Sequence, residues 1–399
     1  MGALCATLCA CNSGGAQPFG ANASLPEVRA LVAPASGDHG YETLHAFAGG
    51  RGDGGYPNAG LTAAGSTLYG TTAGGGPYGE GSVFRSSTTG NEIALYYFGY
   101  NSSYEDGANP DAPVTVSNGF IYGTTESGGY DNDGTVFEIG SNGRERVLHE
   151  FYSYYGPDGA NPYGGLLLVG DTFYGTTYAG GVYGNGTVFQ MGPTGGESLL
   201  YSFGAASGDG ANPMASLIDV DGTLYGTTYG GGTYGDGTVF SLTTSGTESV
   251  LHSFGVAGDG ANPRAALVAI GKWLYGTTVA GGTSNEGTVF RISTDGREKV
   301  LHSFTGPPDG VGPYAPLVSV DRVLYGTTYD GGSGGCASWD GCGAIFRITT
   351  SGRESIVYSF TSNPDGAHPW GGVVKGPGGL YGTASLGGTG VGTIFRIAR

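Results

Sequence analysis

Residues 224–240 read LYGTTYGGGTYGDGTVF, and close copies of this stretch recur along the chain. It joins two runs typical of β-strands through a glycine-rich turn. Gly230, Gly232 and Gly235 also have the spacing G-x-G-x-x-G of a dinucleotide-phosphate loop. Such a loop needs a helix after the glycines, because the helix N-terminus holds the pyrophosphate. The next run, GTVFSLT, has the composition of a strand, so we expect turn glycines and no nucleotide site.

The motif YGT occurs seven times, at intervals of 50–56 residues. Each copy is accompanied in phase by a VF or IF pair, a run ending in Phe such as LHSF, and an Asp-Gly turn, mostly DGANP. Four strand-like runs per unit at this period indicate a β-propeller blade. We therefore predict an all-β, seven-bladed propeller over residues 41–399, with residues 1–40 as a signal remnant and flexible tether. The seven tyrosines are Tyr69, Tyr122, Tyr174, Tyr225, Tyr275, Tyr325 and Tyr381.

The two ends of the array predict that the propeller closes into a ring. The array begins with YETLHAF, which corresponds to a fourth strand, and ends with GTIFRIAR, which corresponds to a third strand. The N-terminal strand can therefore complete the last blade. This arrangement would remove an open sheet edge, which would otherwise invite aggregation.

Residues that recur in every copy are interpreted as architecture, because a single site does not need seven copies of one residue. The YGT tyrosine is expected to pack between blades. The Asp of each Asp-Gly turn is expected to cap its own turn. The Gly that follows is expected to take a backbone conformation that other residues rarely adopt. Calcium is the alternative at these turns, but DGANP offers few of the six to eight oxygens that the ion requires. We expect neither a metal nor a cofactor.

Four histidines occupy one repeated position near the end of the fourth strand. Tyrosine takes that position in the other three copies. A position that accepts both residues is interpreted as an aromatic packing slot rather than a metal ligand. The histidines are His45, His149, His252 and His302.

Charge and the N-terminal segment bear on partners and location. The net charge of −17, with only 16 Lys and Arg, argues against nucleic-acid binding. The N-terminal ALCATLCACNSGG resembles a lipoprotein signal with Cys11 as the lipidated residue, although its basic n-region is missing. We expect an extracytoplasmic protein, lipid-anchored at the cell surface or outer membrane. An ordinary secretory signal and a cytoplasmic chain are the alternatives.

The sixth copy breaks the symmetry of the array. Its span from Tyr325 to Phe346 is six residues longer than the corresponding span in the first five copies, and it contains CASWDGC. Cys336 and Cys342 are expected to form a disulfide that closes a small loop. The loop is either a stabilised surface excursion or a lid that contacts a ligand.

The turns after the second and fourth strands should lie on one face of an up-and-down propeller. This face carries aromatic and polar groups that suit a sugar or a protein partner, unless the rings only cover neighbouring turns. A rival hypothesis is a carbohydrate-active hydrolase or lyase, which would need two or three convergent carboxylates, for example Asp340 with Asp330 and Glu286. A third is a purely structural cell-surface component. The candidate ligand-binding residues are Tyr178, Tyr183, Tyr229, Tyr234, Tyr329, Trp339 and Asp340.

The unit LYGTT, GTVF, LHSF, DGANP, repeated over about residues 41–397, resembles the GloVer tandem-repeat family, named for Gloeobacter and Verrucomicrobia. Proteins of this kind are called choice-of-anchor repeat proteins. The resemblance implies export and surface anchoring. It implies no established reaction, so no catalytic residue follows from it. We expect a monomer that binds polysaccharide or a surface protein, with membrane contact only through an N-terminal lipid.

Overall fold

The computed structural model describes residues 40–100, 106–152, 157–336, 341–388 and 390–398. Every helix or strand found among them is a β-strand. Cys11 and the predicted signal segment lie outside the described residues, as do Trp339 and Asp340 at the tip of the CASWDGC loop. The structure joins Cys336 and Cys342 in a disulfide, with Cα atoms 5.2 Å apart.

The described residues form seven antiparallel four-stranded sheets, which are the blades of the predicted propeller. The first strands of several neighbouring blades contact each other, so the first strand is the inner one. The inner strands are Thr62–Ala64, Thr115–Ser117, Leu167–Val169, Ile218–Val220, Val268–Ile270, Val318–Val320 and Val374–Gly376. The second strands are Thr67–Thr72, Phe120–Thr125, Thr172–Thr177, Thr223–Thr228, Trp273–Thr278, Val323–Thr328 and Gly379–Ala384.

The third and fourth strands complete each blade, and the fourth is the outer one. The third strands are Ser82–Ser87, Thr135–Ile139, Thr187–Gly192, Thr238–Thr243, Thr288–Ser293, Ala344–Thr349 and Thr393–Ala398. The outer strands are Glu92–Tyr97, Glu145–Glu150, Gly195–Ser202, Glu248–Ser253, Glu298–Ser303, Glu354–Ser359 and, for the seventh blade, Tyr41–Ala46.

The predicted ring closure is confirmed. Tyr41–Ala46 pairs antiparallel with Thr393–Ala398, with Glu42 opposite Arg396 and Thr43 opposite Phe395. The N-terminal strand thus supplies the outer strand of the last blade. The blades are numbered 1 to 7 here from the sheet that contains Thr62–Ala64.

The hydrophobic core lies between blades rather than at one centre. One cluster joins Tyr174 and Phe203 of blade 3 to Leu217, Leu224 and Phe240 of blade 4, all of them buried. The rings of Phe203 and Phe240 meet edge to face, with centroids 5.1 Å apart. The YGT tyrosine therefore packs between blades, as predicted.

A ring of buried hydrogen bonds also joins the blades. The first threonine after each YG donates through Oγ1 to a backbone carbonyl of the next blade. For example, Thr227 donates to Ala265 O over 3.1 Å. The seventh bond closes the circle, from Thr383 to Ala59 O over 2.8 Å. The other donors are Thr71, Thr124, Thr176, Thr277 and Thr327.

The Asp-Gly turns are capped as predicted, but most of their glycines serve a different purpose. Asp209 Oδ2 accepts the amide hydrogen of Gly204 over 2.7 Å, and Oδ1 accepts that of Gly210 over 2.7 Å. The left-handed backbone belongs to Asn212, with φ of 58°, and not to Gly210. A Cβ on Gly210 would lie 2.6 Å from Thr228 Cγ2. In six of the seven turns the glycine has no positive φ and is needed for space, so the expected conformational role holds only for Gly366, with φ of 122°.

The glycine turns between the second and third strands do not form a phosphate loop. Gly231, Gly232 and Gly235 have positive φ, and the strand Thr238–Thr243 follows them. In six blades this turn pairs with the Asp-Gly turn, which places both turns on one face. The paired two-residue strands are Gly54–Gly55 with Gly74–Gly75, Gly107–Ala108 with Ser127–Gly128, Gly159–Ala160 with Ala179–Gly180, Gly210–Ala211 with Gly230–Gly231, Gly260–Ala261 with Ala280–Gly281, and Gly310–Val311 with Asp330–Gly331.

Candidate functional site

The residue that follows the turn proline differs strongly among the seven copies. It stands between the DGANP turn and the inner strand, on the face that carries the paired turns. Its neighbours are held in register: Asn212 Nδ2 donates to Tyr178 O of the previous blade, and Asn212 O accepts from the amide of Tyr229. The seven residues at this position are Asn58, Asp111, Tyr163, Met214, Arg264, Tyr314 and Trp370.

On one side of the ring, a cation is stacked on two aromatic side chains. The guanidinium of Arg264 lies 4.5 Å from the ring centroid of Trp370 and 5.3 Å from that of Tyr314. The Tyr314 and Trp370 rings are themselves stacked, with centroids 5.1 Å apart. Arg264 belongs to blade 5 and Trp370 to blade 7, so this contact passes over blade 6. These side chains therefore converge toward the axis.

A group of carboxylates faces this stack. Asn58 Nδ2 donates to Asp111 Oδ1 over 3.0 Å, and Glu126 lies near enough to Asp111 to influence its charge. The hydroxyl of Tyr163 donates to Glu126 Oε1. Burial, with a further contribution from the charge of Glu126, raises the pKa of Asp111 to about 6, and Arg264 opposes the shift. Asp111 and Arg264 thus interact across the ring, from blade 2 to blade 5.

Six of these residues are named the axial cluster: Asp111, Glu126, Tyr163, Arg264, Tyr314 and Trp370. Burial lowers the pKa of Arg264, while the charges of Tyr314 and Asp111 act to raise it. The side chain remains a cation at neutral pH, because an arginine titrates far above that range. The cluster combines flat apolar rings with fixed hydrogen-bonding groups, which is the usual make-up of a small-ligand site.

His368 extends the axial cluster at blade 7, where it replaces the turn asparagine of other copies. Its Nδ1 lies 2.9 Å from Asp330 Oδ1 and 3.2 Å from Tyr329 O. Both neighbours are acceptors, so Nδ1 carries the hydrogen. The bond to Asp330 raises the pKa of His368, against the effect of burial. The imidazole packs on Tyr329, with ring centroids 4.7 Å apart.

The structure separates the predicted ligand-binding tyrosines into two groups. Tyr178 meets Tyr163 edge to face at 5.6 Å, and Tyr329 meets Tyr314 at 5.3 Å, so both border the axial cluster. Tyr229 also faces the charge of Arg264.

The other two tyrosines lie farther out on the same loops. Tyr183 and Tyr234 are more than half exposed, and they stand beside Gly204 and Gly255, just after the outer strands. They line no part of the axial cluster in the contacts described.

Sequence reasoning missed most of the axial cluster. Asp111, Arg264, Tyr314 and Trp370 stand in a position whose identity changes along the array, while a proline always precedes it and a Leu or Val always follows three residues later. That contrast was the available signal. The extra residues of the sixth copy, between Tyr325 and Phe346, are the more conspicuous departure from the repeat, but they lie at a different place in the blade.

A groove of about 810 Å³ lies away from the axis, between outer strands. It is lined by residues that include Tyr96, Asp106, Glu145 and His149. Equivalent Asp and Glu residues recur at most blade interfaces, so these groups belong to the repeated architecture. The axial cluster, by contrast, occurs once.

The sequence model of the Gloeobacter/Verrucomicrobia repeat matches this chain in three overlapping segments, residues 31–156, 94–288 and 270–399. The chain belongs to the Gloeobacter/Verrucomicrobia repeat family. No curated protein has a significantly similar sequence. Among the described residues, this repeat protein has no helix long and apolar enough to cross a membrane.

Solved structures resemble the repeat protein in fold. A candidate 6-phosphogluconolactonase from Bacteroides uniformis is 19% identical, with 82% of this chain and 89% of that chain covered and a TM-score of 0.51. A gluconolactonase from Xanthomonas campestris is 12% identical, with coverages of 66% and 78% and a TM-score of 0.41. At these identities the likeness concerns the fold alone.

Proposed function

We propose that this repeat protein is a binding module that holds a segment of polysaccharide at the axial cluster. One observation carries the proposal: at one position the seven blades present six different residue types, and five of these side chains meet in the axial cluster. Sugar rings offer an apolar face to stack on an aromatic ring, and hydroxyls that pair with carboxylates and amides. Trp370, Tyr314 and Tyr163 would supply the stacking surfaces, with Asp111 and Glu126 as hydrogen-bonding partners.

We place the protein outside the cytoplasm, anchored through Cys11. The Cys336–Cys342 disulfide supports an oxidising compartment, because structural disulfides are rare in the cytosol. The charge of −17 suits a soluble surface domain that does not adhere to nucleic acid. A surface location would give the axial face access to extracellular glycans.

Binding is favoured over glycoside hydrolysis because the carboxylates near the axis are engaged by neighbouring side chains. Asp111 Oδ1 accepts a hydrogen bond from Asn58 Nδ2, and Glu126 Oε1 accepts one from the hydroxyl of Tyr163. Asp330, one of the carboxylates of the enzyme hypothesis, is paired with His368.

A glycan array followed by calorimetry tests the proposal. We expect a glycan to bind, and Trp370→Ala and Arg264→Ala to weaken its binding about tenfold or more, as for anchor residues of an interface. Tyr234→Ala is the matched control, because this tyrosine is exposed on the same face outside the axial cluster. It should leave the affinity unchanged.

Two results would contradict the proposal in different ways. If Tyr234→Ala abolished binding while Trp370→Ala did not, the ligand would occupy the outer loops. If no glycan bound to the folded wild-type protein, polysaccharide recognition itself would be wrong, and a protein partner or a structural role would replace it.

A further inference from the structure

A set of three side chains recurs where the outer strand of one blade meets the next blade. It consists of the aromatic slot residue near the end of the outer strand, the Asp of the turn that follows, and a residue at or near the start of the next outer strand. In four of the seven places these residues are His, Asp and Glu. These four sets are named the outer triads: His45–Asp53–Glu92, His149–Asp158–Glu197, His252–Asp259–Glu298 and His302–Asp309–Glu354.

The donor atoms of each outer triad lie close together. One nitrogen and two carboxylate oxygens fall within 4.8 Å of one another in all four. The imidazole Nε2 lies 2.9–3.5 Å from a carboxylate oxygen of the Asp. In a tetrahedral zinc site with bonds of about 2.0–2.2 Å, neighbouring ligand atoms are about 3.4 Å apart. The triads are therefore near the spacing that a bound ion needs.

Several of these atoms are buried without a hydrogen bond. His45 Nε2 and Asp53 Oδ1 face each other at 3.5 Å, and neither has a hydrogen-bond partner among the described residues. Glu298 Oε1 and Glu354 Oε1 are also buried and unpaired there. Buried polar atoms normally have a partner, because leaving one unmatched is costly. Glu145 Oε1 and Glu248 Oε1, at two interfaces where tyrosine replaces histidine, are also buried and unpaired among the described residues. The unpaired glutamate oxygen is therefore a general feature of the interfaces, whereas the unpaired imidazole nitrogen of His45 belongs to a triad alone.

The donor set selects a transition metal over calcium. One imidazole with two carboxylates matches the nitrogen and oxygen ligands of Zn²⁺ sites that keep an open position for water. Calcium requires six to eight oxygens, more than a triad supplies. We propose that the four outer triads bind divalent transition-metal ions, with Zn²⁺ as the fitting probe, and that each ion clamps two neighbouring blades.

The other three interfaces act as built-in controls. Tyr201 replaces histidine in one of them, and its hydroxyl donates to Asp209 Oδ2 over 2.9 Å. Tyr96 does the same with Asp106 at 3.1 Å, and Tyr358 with Asp365 at 2.6 Å. Each phenol gives the Asp one hydrogen bond without a metal, although Asp106 Oδ1 stays buried without a partner among the described residues. Tyrosine therefore occupies the same place as histidine, and we expect the two to be exchangeable without loss of the fold.

The first outer triad has a particular mechanical role in this proposal. His45 lies on the strand that closes the ring, and Glu92 lies on the outer strand of blade 1. An ion held between them would tie the closing strand to the first blade. Metal binding would therefore stabilise the folded ring, because a ligand that binds only the native state shifts unfolding by mass action.

Calorimetry on the full chain tests the proposal. The protein is stripped with EDTA, its free thiols are alkylated, and Zn²⁺ is titrated at neutral pH without a histidine tag. We expect four ions per chain, three after His252→Tyr and five after Tyr201→His. We also expect zinc to raise the melting temperature of the wild-type protein, whereas Ca²⁺ gives no heat of binding.

A variant with all four triad histidines changed to tyrosine is the decisive comparison. Its metal-free melting curve shows whether it folds, since tyrosine already occupies this position in three blades. If that folded variant takes up as much zinc as the wild-type protein, the proposal is overturned. An absence of stoichiometric zinc uptake by the wild-type protein would also overturn it and leave the triads as hydrogen-bonded contacts.

Discussion

Glu145 is a carboxylate placed where its charge is costly. It is the first residue of the outer strand in blade 2, and it faces Asp106 of the previous turn in an interface whose third member is Tyr96. Its Oε1 is buried without a hydrogen-bond partner among the described residues. Burial, and then the charge of Asp106, raises the pKa of Glu145 to about 8. Glu248 has the same environment beside Asp209, with a pKa of about 7.

Because the pKa values of these two glutamates are raised, we expect the folded protein to be more stable in mild acid than in mild base. Between the ordinary glutamate pKa and about 8, the folded state binds more protons at Glu145 than the unfolded state does. The free energy of unfolding therefore falls as pH rises through that window. We expect the metal-free melting temperature to decrease from pH 5 to pH 8.5, and Glu145→Gln to flatten the curve and melt higher than wild type at pH 8.5. A steeper curve for Glu145→Gln would contradict this assignment.

The residues at the axial cluster differ in how far the sequence alone could predict them. Tyr178, Tyr229 and Tyr329 were predicted because aromatic residues in turns are conspicuous, and all three border the axial cluster. Arg264 and Asp111 were not predicted, since one basic and one acidic residue 153 positions apart in sequence have no local pattern to connect them. Only the ring brings them into electrostatic contact.

At the level of strands and turns, interblade contacts replace a single central core. Each second strand carries a tyrosine that packs against the next blade. It also carries a threonine that donates a hydrogen bond to the next blade. The glycine between them is required by space: a Cβ on Gly226 would lie 2.6 Å from Phe240 Cζ. The motif YGT is thus a unit in which all three residues serve blade packing.

The threonine ring leads to a direct test of interblade coupling. Thr227→Val keeps the shape of the side chain but leaves the buried Ala265 carbonyl without this donor. We expect a loss of about 1–3 kcal/mol in the free energy of unfolding, the typical cost of an unpaired buried acceptor. Chemical denaturation measures it. Thr244→Val, in an exposed hairpin, is the matched control and should stay within about 0.5 kcal/mol of wild type.

For the whole molecule, ring closure is the feature on which stability depends most. Tyr41–Ala46 is the outer strand of the last blade, and the ring of Tyr41 stacks on that of Tyr358 at 4.2 Å. Without this strand, the sheet that contains Thr393–Ala398 would present an unpaired edge. Exposed edges of this kind promote association with other chains.

Deletion of residues 41–46 should therefore lower the melting temperature and produce aggregates in size-exclusion chromatography. A synthetic peptide with the sequence of residues 41–47, added in excess, should restore a monomeric elution profile by pairing with the open edge. If the shortened chain remained monomeric and equally stable without peptide, closure by this strand would contribute little.

The sequence by itself determined the fold and the family, because both depend on local patterns that are repeated seven times. Strand composition, turn residues and the phase of the two ends sufficed for seven blades and a closing strand. The tertiary structure decided where residues from different blades meet. The axial cluster spans blades 2 to 7, and each outer triad joins two blades, so their distances depend on how the sheets are arranged around the ring. Sequence separation carries no information about such contacts once the chain has closed on itself.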